Sequence, residues 1–383
     1  MSGIKVMSVF GTRPEAIKMA PLVKELRRRE GLESLCCVTA QHREMLDSVL
    51  DIFQIIPDYD LNIMEPGQTL STITTKCLLG LEKVFQSAKP DLVLVHGDTS
   101  TAFSAALAAF YSKIPVGHVE AGLRTHDRYS PFPEEMNRTL VGDLAELHFS
   151  PTVANKENLC REGIEKGIYL TGNTVIDAMA TTVRTDFRFS TEGLNHIDYE
   201  NQKVIVVTCH RRENYGQPME DIMSALAYIA KTYPGVELVY PVHLSPVVQE
   251  VARRHLEGIG NIHLIPPVDV EEMHNLMARC YMVMTDSGGL QEEAPALGKP
   301  VLVMRKETER PEAVAAGTVK LAGVEYDRIV ALAEEVIMDR EVYDTMAHAV
   351  NPYGDGKACE RIADAIEYRF GLREQLPEEF VPG

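Results

Sequence analysis

DLVLVHGDTSTAF, residues 91–103, opens as a buried apolar run and turns at His96-Gly97-Asp98. It then continues into a segment of helical character. A short apolar run bounded by turn signals is the mark of a strand covered on both faces, as in parallel sheets flanked by helices. IPVGHVEAGLRT (114–125) and SPFPEEMNRTL (130–140) continue the pattern. Three carboxylates, Asp98, Glu120 and Glu134, fall in the loops that follow these strands or open the next helix. Ligands of open α/β sheets bind beyond the carboxyl ends of the strands, so these acids are expected to face a pocket. Three converging acids with no metal-ligand spacing point to proton chemistry on a small substrate.

The alternation extends outward in both directions. Strands are predicted at 4–10, 35–40, 91–95, 115–119 and 146–150, with amphipathic helices at 43–53, 70–87 and 101–112. Pro21 is expected to kink or restart the first helix. The pattern weakens between 174 and 202 into a polar stretch, read as a connection. A second series follows, with strands at 204–208, 236–240, 262–265, 281–285 and 300–304 and helices between them. The expected fold class is α/β, with two Rossmann-like domains facing across a cleft. One covers residues 1–173 and the other 174–356, and a terminal helix within 357–383 can pack back on the first.

Composition narrows the function. The chain of 383 residues carries 38 basic and 56 acidic residues, a net charge of −18. Such a surface repels nucleic acid and anionic membranes, so neither is an expected partner, and basic groups at strand ends become informative. Apolar runs are too short to span a bilayer. The opening MSGIKVMSVFG lacks the order of a secretory leader, and the seven cysteines show neither a disulfide framework nor a zinc pattern. A cytoplasmic enzyme without a metal is the expectation.

Four further segments carry candidate chemistry. GTRPEAIK (11–18) sets Arg13 and Lys18 near a helix N-terminus, which favours an anion. It lacks the GxGxxG of dinucleotide sites, which counts against nicotinamide chemistry. In TDSGGLQEEA (285–294), Ser287, Gly288 and Gly289 form a small-residue turn that lets a phosphate approach backbone N–H groups. Glu293 there could bind ribose hydroxyls, and Arg310 could close on the phosphate from the next loop. His210, in TCHRREN (208–214), lies at a strand end beside Arg211 and Arg212. Plain readings compete at every point: Asp98 as a helix N-cap, Glu134 and the acids after Gly289 as partners of a helix dipole, and His210 as a structural histidine.

Taken together, FGTRPEAIKMAPL, TAQHREML, HGDTSTAF, HVEAGLRT, PEEMNR, TCHRREN, PVHLSP and TDSGGLQEEAPALGKPVLVMR closely resemble the non-hydrolysing UDP-N-acetylglucosamine 2-epimerases. The resemblance implies a GT-B-like fold, a UDP-sugar substrate, no cofactor, and a homodimer. It places Asp98, Glu120, Glu134 and His210 in the catalytic group. Arg13, Lys18, Met273, Ser287, Gly288, Gly289, Glu293 and Arg310 fall on substrate-binding positions. Gln41, His42, Arg43, Arg212 and His243 fall on an activator site that holds a second substrate molecule in bacterial relatives. The chain departs from the family at Glu44, where a glutamine is common, and at Gly67, where an arginine is common. Met273 and Val268 are apolar where many relatives have an aromatic and a polar residue.

The implied reaction inverts C2 of the sugar by eliminating UDP to a 2-acetamidoglucal and adding it back. Two faces of the sugar need two proton-handling groups, which accounts for several carboxylates. The alternatives are a hydrolysing 2-epimerase that releases N-acetylmannosamine, a GT-B glycosyltransferase on the same UDP site, and a nucleotide-sugar sensor without catalysis.

Overall fold

Apolar strands joined by amphipathic helices can bury their backbone groups and side chains together only as parallel sheets under helical layers. The computed structural model describes residues 3–40, 43–308 and 310–382. It divides into two compact units, one running up to Thr181 and joined by Tyr353–Val381, the other Thr182–Pro352.

The first unit begins β1 (Ile4–Phe10), α1 (Arg13–Arg28), β2 (Leu32–Val38), α2 (Arg43–Phe53), β3 (Tyr59–Asp60) and α3 (Leu70–Ala88). It continues β4 (Leu92–His96), α4 (Ser100–Tyr111), β5 (Val116–Val119), α5 (Glu134–Leu144), β6 (Leu147–Ser150), α6 (Val153–Arg161), β7 (Ile168–Leu170) and α7 (Thr174–Thr182). The strands form one sheet in the order β3-β2-β1-β4-β5-β6-β7, with every pairing parallel. The chain reverses its direction of winding between β1 and β4. That switch point opens a crevice at the carboxyl ends of both strands. A core of Met7, Val9, Val93, Val95, Leu81 and Ala105 fixes α3 and α4 against one face.

The second unit repeats the plan. It starts β8 (Lys203–Thr208), α8 (Gln217–Thr232), β9 (Val236–Pro241), α9 (Pro246–Leu256), β10 (Ile262–Ile265), α10 (Val270–Arg279) and β11 (Met282–Thr285). It ends α11 (Leu290–Ala296), β12 (Val301–Val303), α12 (Pro311–Ala316), β13 (Val319–Leu321), α13 (Tyr326–Met338) and α14 (Arg340–Ala347). The strand order β10-β9-β8-β11-β12-β13 is again all parallel, with its switch point between β8 and β11. Both units are therefore Rossmann-like.

Several local expectations are corrected. Helix α1 runs on through Pro21 and does not restart there. Proline removes one hydrogen bond there, but its neighbours Met19, Ala20, Leu22 and Val23 are fully buried, so packing carries the turn. The second strand begins at Leu32, three residues before the predicted start, because it pairs with β1 along its whole length. It stops short of Ala40, whose φ of +53° leaves the extended region. The connection predicted from residue 174 starts instead as helix α7. The last helix, α15 (Ala358–Arg369), packs on α1, where Arg29 bonds Asp364 at 2.7 Å and Glu367 at 3.0 Å. Among the described residues no helix is long and apolar enough to cross a membrane.

Candidate active site

In the first unit, the turns leaving β1 and β4 flank the switch point and are tied together by one buried acid. Glu15, in the first turn of α1, accepts the N–H groups of Gly11 (3.0 Å) and Thr12 (2.8 Å) and the hydroxyl of Thr99 (2.7 Å). Burial raises its pKa against these bonds. Thr99 in turn caps α4 through the Ala102 N–H. The cap is thus Thr99, and the reading of Asp98 as an N-cap fails.

Asp98 instead receives Arg138 from α5, through Nε at 3.1 Å and through Nη2, while Asn137 donates to its carbonyl at 2.8 Å. Arg138 also reaches Glu135 at 3.2 Å, so the guanidinium sits between two acids. Burial pushes the Asp98 pKa up. Arg138 opposes the shift, and the nearby charges of Glu120 and Glu134 add to it. An acid so placed takes up a proton more readily than an ordinary aspartate. Glu134 is the first residue of α5 and is half-buried.

Glu120, just past β5, has a φ of +62°, a left-handed conformation that costs a non-glycine residue about 1–3 kcal/mol. Two residues on, Gly122 (φ +92°) lies where a Cβ would come within 2.1 Å of the Asn155 carbonyl oxygen, so the turn demands glycine. The carboxylate of Glu120 is held by Lys18 from α1 and by Asn173 Nδ2 at 3.1 Å. His96 Nε2 stands 3.5 Å away, and burial lowers the His96 pKa to about 4. His118, lowered to about 3 by burial, donates to the Gly97 carbonyl at 2.7 Å and so braces the turn that carries Asp98. The three predicted acids therefore belong to one charge-coupled group, backed by neutral histidines.

In the second unit, the turns after β8 and β11 meet on Asp286, which is fully buried. Its Oδ2 accepts the N–H groups of His210 and Arg211, both at 2.7 Å, and Asn214 Nδ2 at 3.2 Å. Its Oδ1 lies 3.3 Å from His210 Nδ1. The His210 ring stacks on His243, with centroids 5.3 Å apart and planes 11° from parallel. Desolvation lowers the His210 pKa, Asp286 raises it, and His243 and Arg211 lower it further.

Beside this pair lies the Ser287-Gly288-Gly289 turn that leads into α11. A Cβ on Gly288 would stand 3.8 Å from an Arg211 guanidinium nitrogen and 4.0 Å from one of Arg310. Two guanidinium groups thus border a backbone that carries no side chain, an arrangement suited to a phosphate. Arg310 also bonds Glu292 through Nε, and Glu293 is 3.4 Å from His274.

The sequence model of the UDP-N-acetylglucosamine 2-epimerase family matches residues 24–367. The chain belongs to the UDP-N-acetylglucosamine 2-epimerase family. A protein of Clostridium acetobutylicum is 60% identical over 383 residues, the whole of both chains. The UDP-N-acetylglucosamine 2-epimerase of Bacillus subtilis is 52% identical over 384 residues, 99% of each chain. Among solved structures, the UDP-GlcNAc 2-epimerase of Neisseria meningitidis bound to UDP-GlcNAc is similar with a TM-score of 0.86 and 49% identity. That likeness covers 95% of this chain and 99% of that one. The two Rossmann-like units are the GT-B-like architecture of this 2-epimerase family.

Within this 2-epimerase, Lys18 is engaged with Glu120, while Arg13 opens α1 with an exposed side chain. Met273 lies half-buried on α10. Of the activator positions, Arg43 is bound by Asp60 and, at 2.9 Å, by Asp47. Arg212 is exposed in the short turn after His210, whereas Arg211 is the arginine beside Gly288. His243 lies against His210. Gln41 and His42 fall outside the described residues. Glu15, Arg138 and Asp286 were not singled out from sequence. PEE-x-x-R, with Glu135 and Arg138 one helical turn apart, was the signal available for one of them.

Proposed function

We propose that this 2-epimerase interconverts UDP-N-acetylglucosamine and UDP-N-acetylmannosamine without hydrolysis, through a 2-acetamidoglucal. The supporting observation is the environment of Asp98, whose pKa is raised beside two further acids, with Glu120 fixed by Lys18. A carboxylate takes the C2 proton, the C2–H electron pair forms the C1–C2 double bond, and the C1–O pair leaves with UDP. Re-addition of UDP at C1 with protonation of C2 from the other face gives the epimer. In this reading Asp98 and Glu120 exchange protons at C2, with Glu134 as their relay. His210 stabilises or protonates the departing phosphate oxygen.

Ser287, Gly288, Gly289 and Arg310 hold the diphosphate, assisted by Arg13 and Lys18. Glu293 takes the ribose and Met273 lies by the uracil. Electrons and protons balance within substrate and protein, so the step calls for neither cofactor nor metal. A cytoplasmic homodimer is part of the same reading, and light scattering of the purified chain reports the dimer.

The deciding experiment incubates the protein with UDP-N-acetylglucosamine in D₂O and follows the products by NMR. Deuterium at C2 together with UDP-N-acetylmannosamine is the expected result. Free N-acetylmannosamine would identify the hydrolysing reaction instead, and absence of exchange would exclude both epimerase routes.

A further inference from the structure

Asp286 is, among the described residues, the one fully buried carboxylate at the second unit's switch point, and the reaction gives it no role. Three donors crowd one of its oxygens: the N–H groups of His210 and Arg211 and the amide of Asn214. The other oxygen makes no hydrogen bond of ordinary geometry among the described residues, and His210 Nδ1 stands 3.3 Å from it. The division is informative. Oδ2 is fully used in holding the backbone of the turn after β8, whereas Oδ1 is left for the imidazole. A buried anionic oxygen needs a donor, and the nearby ring nitrogen supplies one only as Nδ1–H.

We propose that Asp286 is a positioning residue that holds His210 as the Nδ1–H tautomer and presents Nε2 to the departing phosphate oxygen. This rests on the reading of His210 as the group that serves UDP. Nε2 then carries a lone pair when the ring is neutral and a proton when it is charged. The ring can thus give a proton as the C1–O bond breaks and take it back when UDP returns. Without a carboxylate on Nδ1, neither the orientation nor the charged form is supported.

The charged and titratable groups facing the ring argue that this support is needed. Desolvation, His243 stacked from the loop after β9, and Arg211 all disfavour the imidazolium, and Asp286 alone opposes them. The Cys209 thiol also faces Asp286, where burial and the carboxylate keep it protonated. It is a weak donor and does not replace the ring nitrogen.

The test is Asp286→Asn. The amide oxygen can still accept from the His210 and Arg211 N–H groups, while the amide NH₂ faces Nδ1 and imposes the Nε2–H tautomer. Long-range ¹H–¹⁵N NMR of histidine-labelled protein, with His210→Gln to assign the signal, reads the tautomer directly. The expected result is Nδ1–H in the parent and Nε2–H in the variant, with kcat lowered by about 10²-fold or more and KM within about threefold. The double variant Asp286→Asn/His210→Gln should be no slower than His210→Gln alone.

An unchanged tautomer, or losses that multiply in the double variant, would overturn the assignment. If Asp286→Asn does not fold, the parent spectrum decides, because an Nε2–H ring there excludes the proposal. If His210→Gln keeps full activity, the role of His210 in catalysis falls. The tautomer measurement still judges Asp286 separately.

Discussion

The two switch points use the same strand geometry and invert its electrostatics. In the first unit the acid is presented and the cation supports it: the Asp98 side chain is 25% exposed, and its partner Arg138 only 6%. In the second unit the acid is the support: Asp286 is 0% exposed, while His210, which it holds, is 37% exposed. One sheet edge therefore offers carboxylates. The other offers an imidazole, guanidinium groups and a bare backbone turn. A Rossmann-like unit is indifferent to which charge it displays. The sign is decided by which partner is buried.

The largest effect expected from breaking this contrast comes from Asp98→Asn. The amide is close in shape but cannot exchange a proton, so C2 deuterium exchange should fall by about 10³-fold or more. UDP affinity, which the second unit is proposed to supply, should change by less than about threefold. Deuterium uptake by NMR and UDP calorimetry measure the two. Exchange at the parental rate would remove Asp98 from the reaction.

A smaller change is expected from Gly288→Ala. The added methyl meets nothing closer than 3.8 Å, so the fold accepts it. It takes the space that a phosphate would use, and the UDP dissociation constant should rise about tenfold, roughly 1.4 kcal/mol. Unchanged affinity with unchanged thermal stability would show that the turn is not the anion site.

The smallest effect concerns the histidines behind the acids. Burial depresses His118 to about 3. Its folded pKa lies below the unfolded value, so the stability it contributes is complete above about pH 6.5 and is lost as pH falls toward 3. His118→Gln should be less stable than the parent at pH 7.5, and the gap should close by about 1 kcal/mol on moving to pH 5.5. The neighbouring acids cancel in this difference. His210→Gln should show less closure, because His210 is part-exposed and faces Asp286. Urea unfolding at both pH values makes the comparison, and equal closure at the two sites would erase the distinction drawn between them.

Much of this was legible in the chain because the signals are local. Apolar runs such as LVLV at 92–95 and VIVV at 204–207 call for buried parallel strands, and Gly288-Gly289 marks a turn open to a ligand. Burial without periodicity hid other elements. β3 and β7 have two and three residues, too short for a pattern, and α7 was lost in a polar stretch. Pro21 misled because its penalty is local, while the packing that overrides it comes from distant residues. The supporting residues were silent for a related reason. Glu15, Arg138 and Asp286 read in sequence as ordinary dipole partners or solvated charges, and only their burial gives them roles.

The sequence by itself determined the alternation of buried strands and helices that calls for parallel sheets, and it placed acids, His210 and the Ser287-Gly288-Gly289 turn at strand ends. Side-chain period and turn chemistry are properties of neighbouring residues. Only the tertiary structure decided that Thr99 rather than Asp98 caps α4, that Lys18 serves Glu120, and that Asp286 anchors His210. Those outcomes depend on which groups lose water together, across separations such as the 102 residues from Lys18 to Glu120. Desolvation at that range is fixed by the packed fold, not by the local sequence.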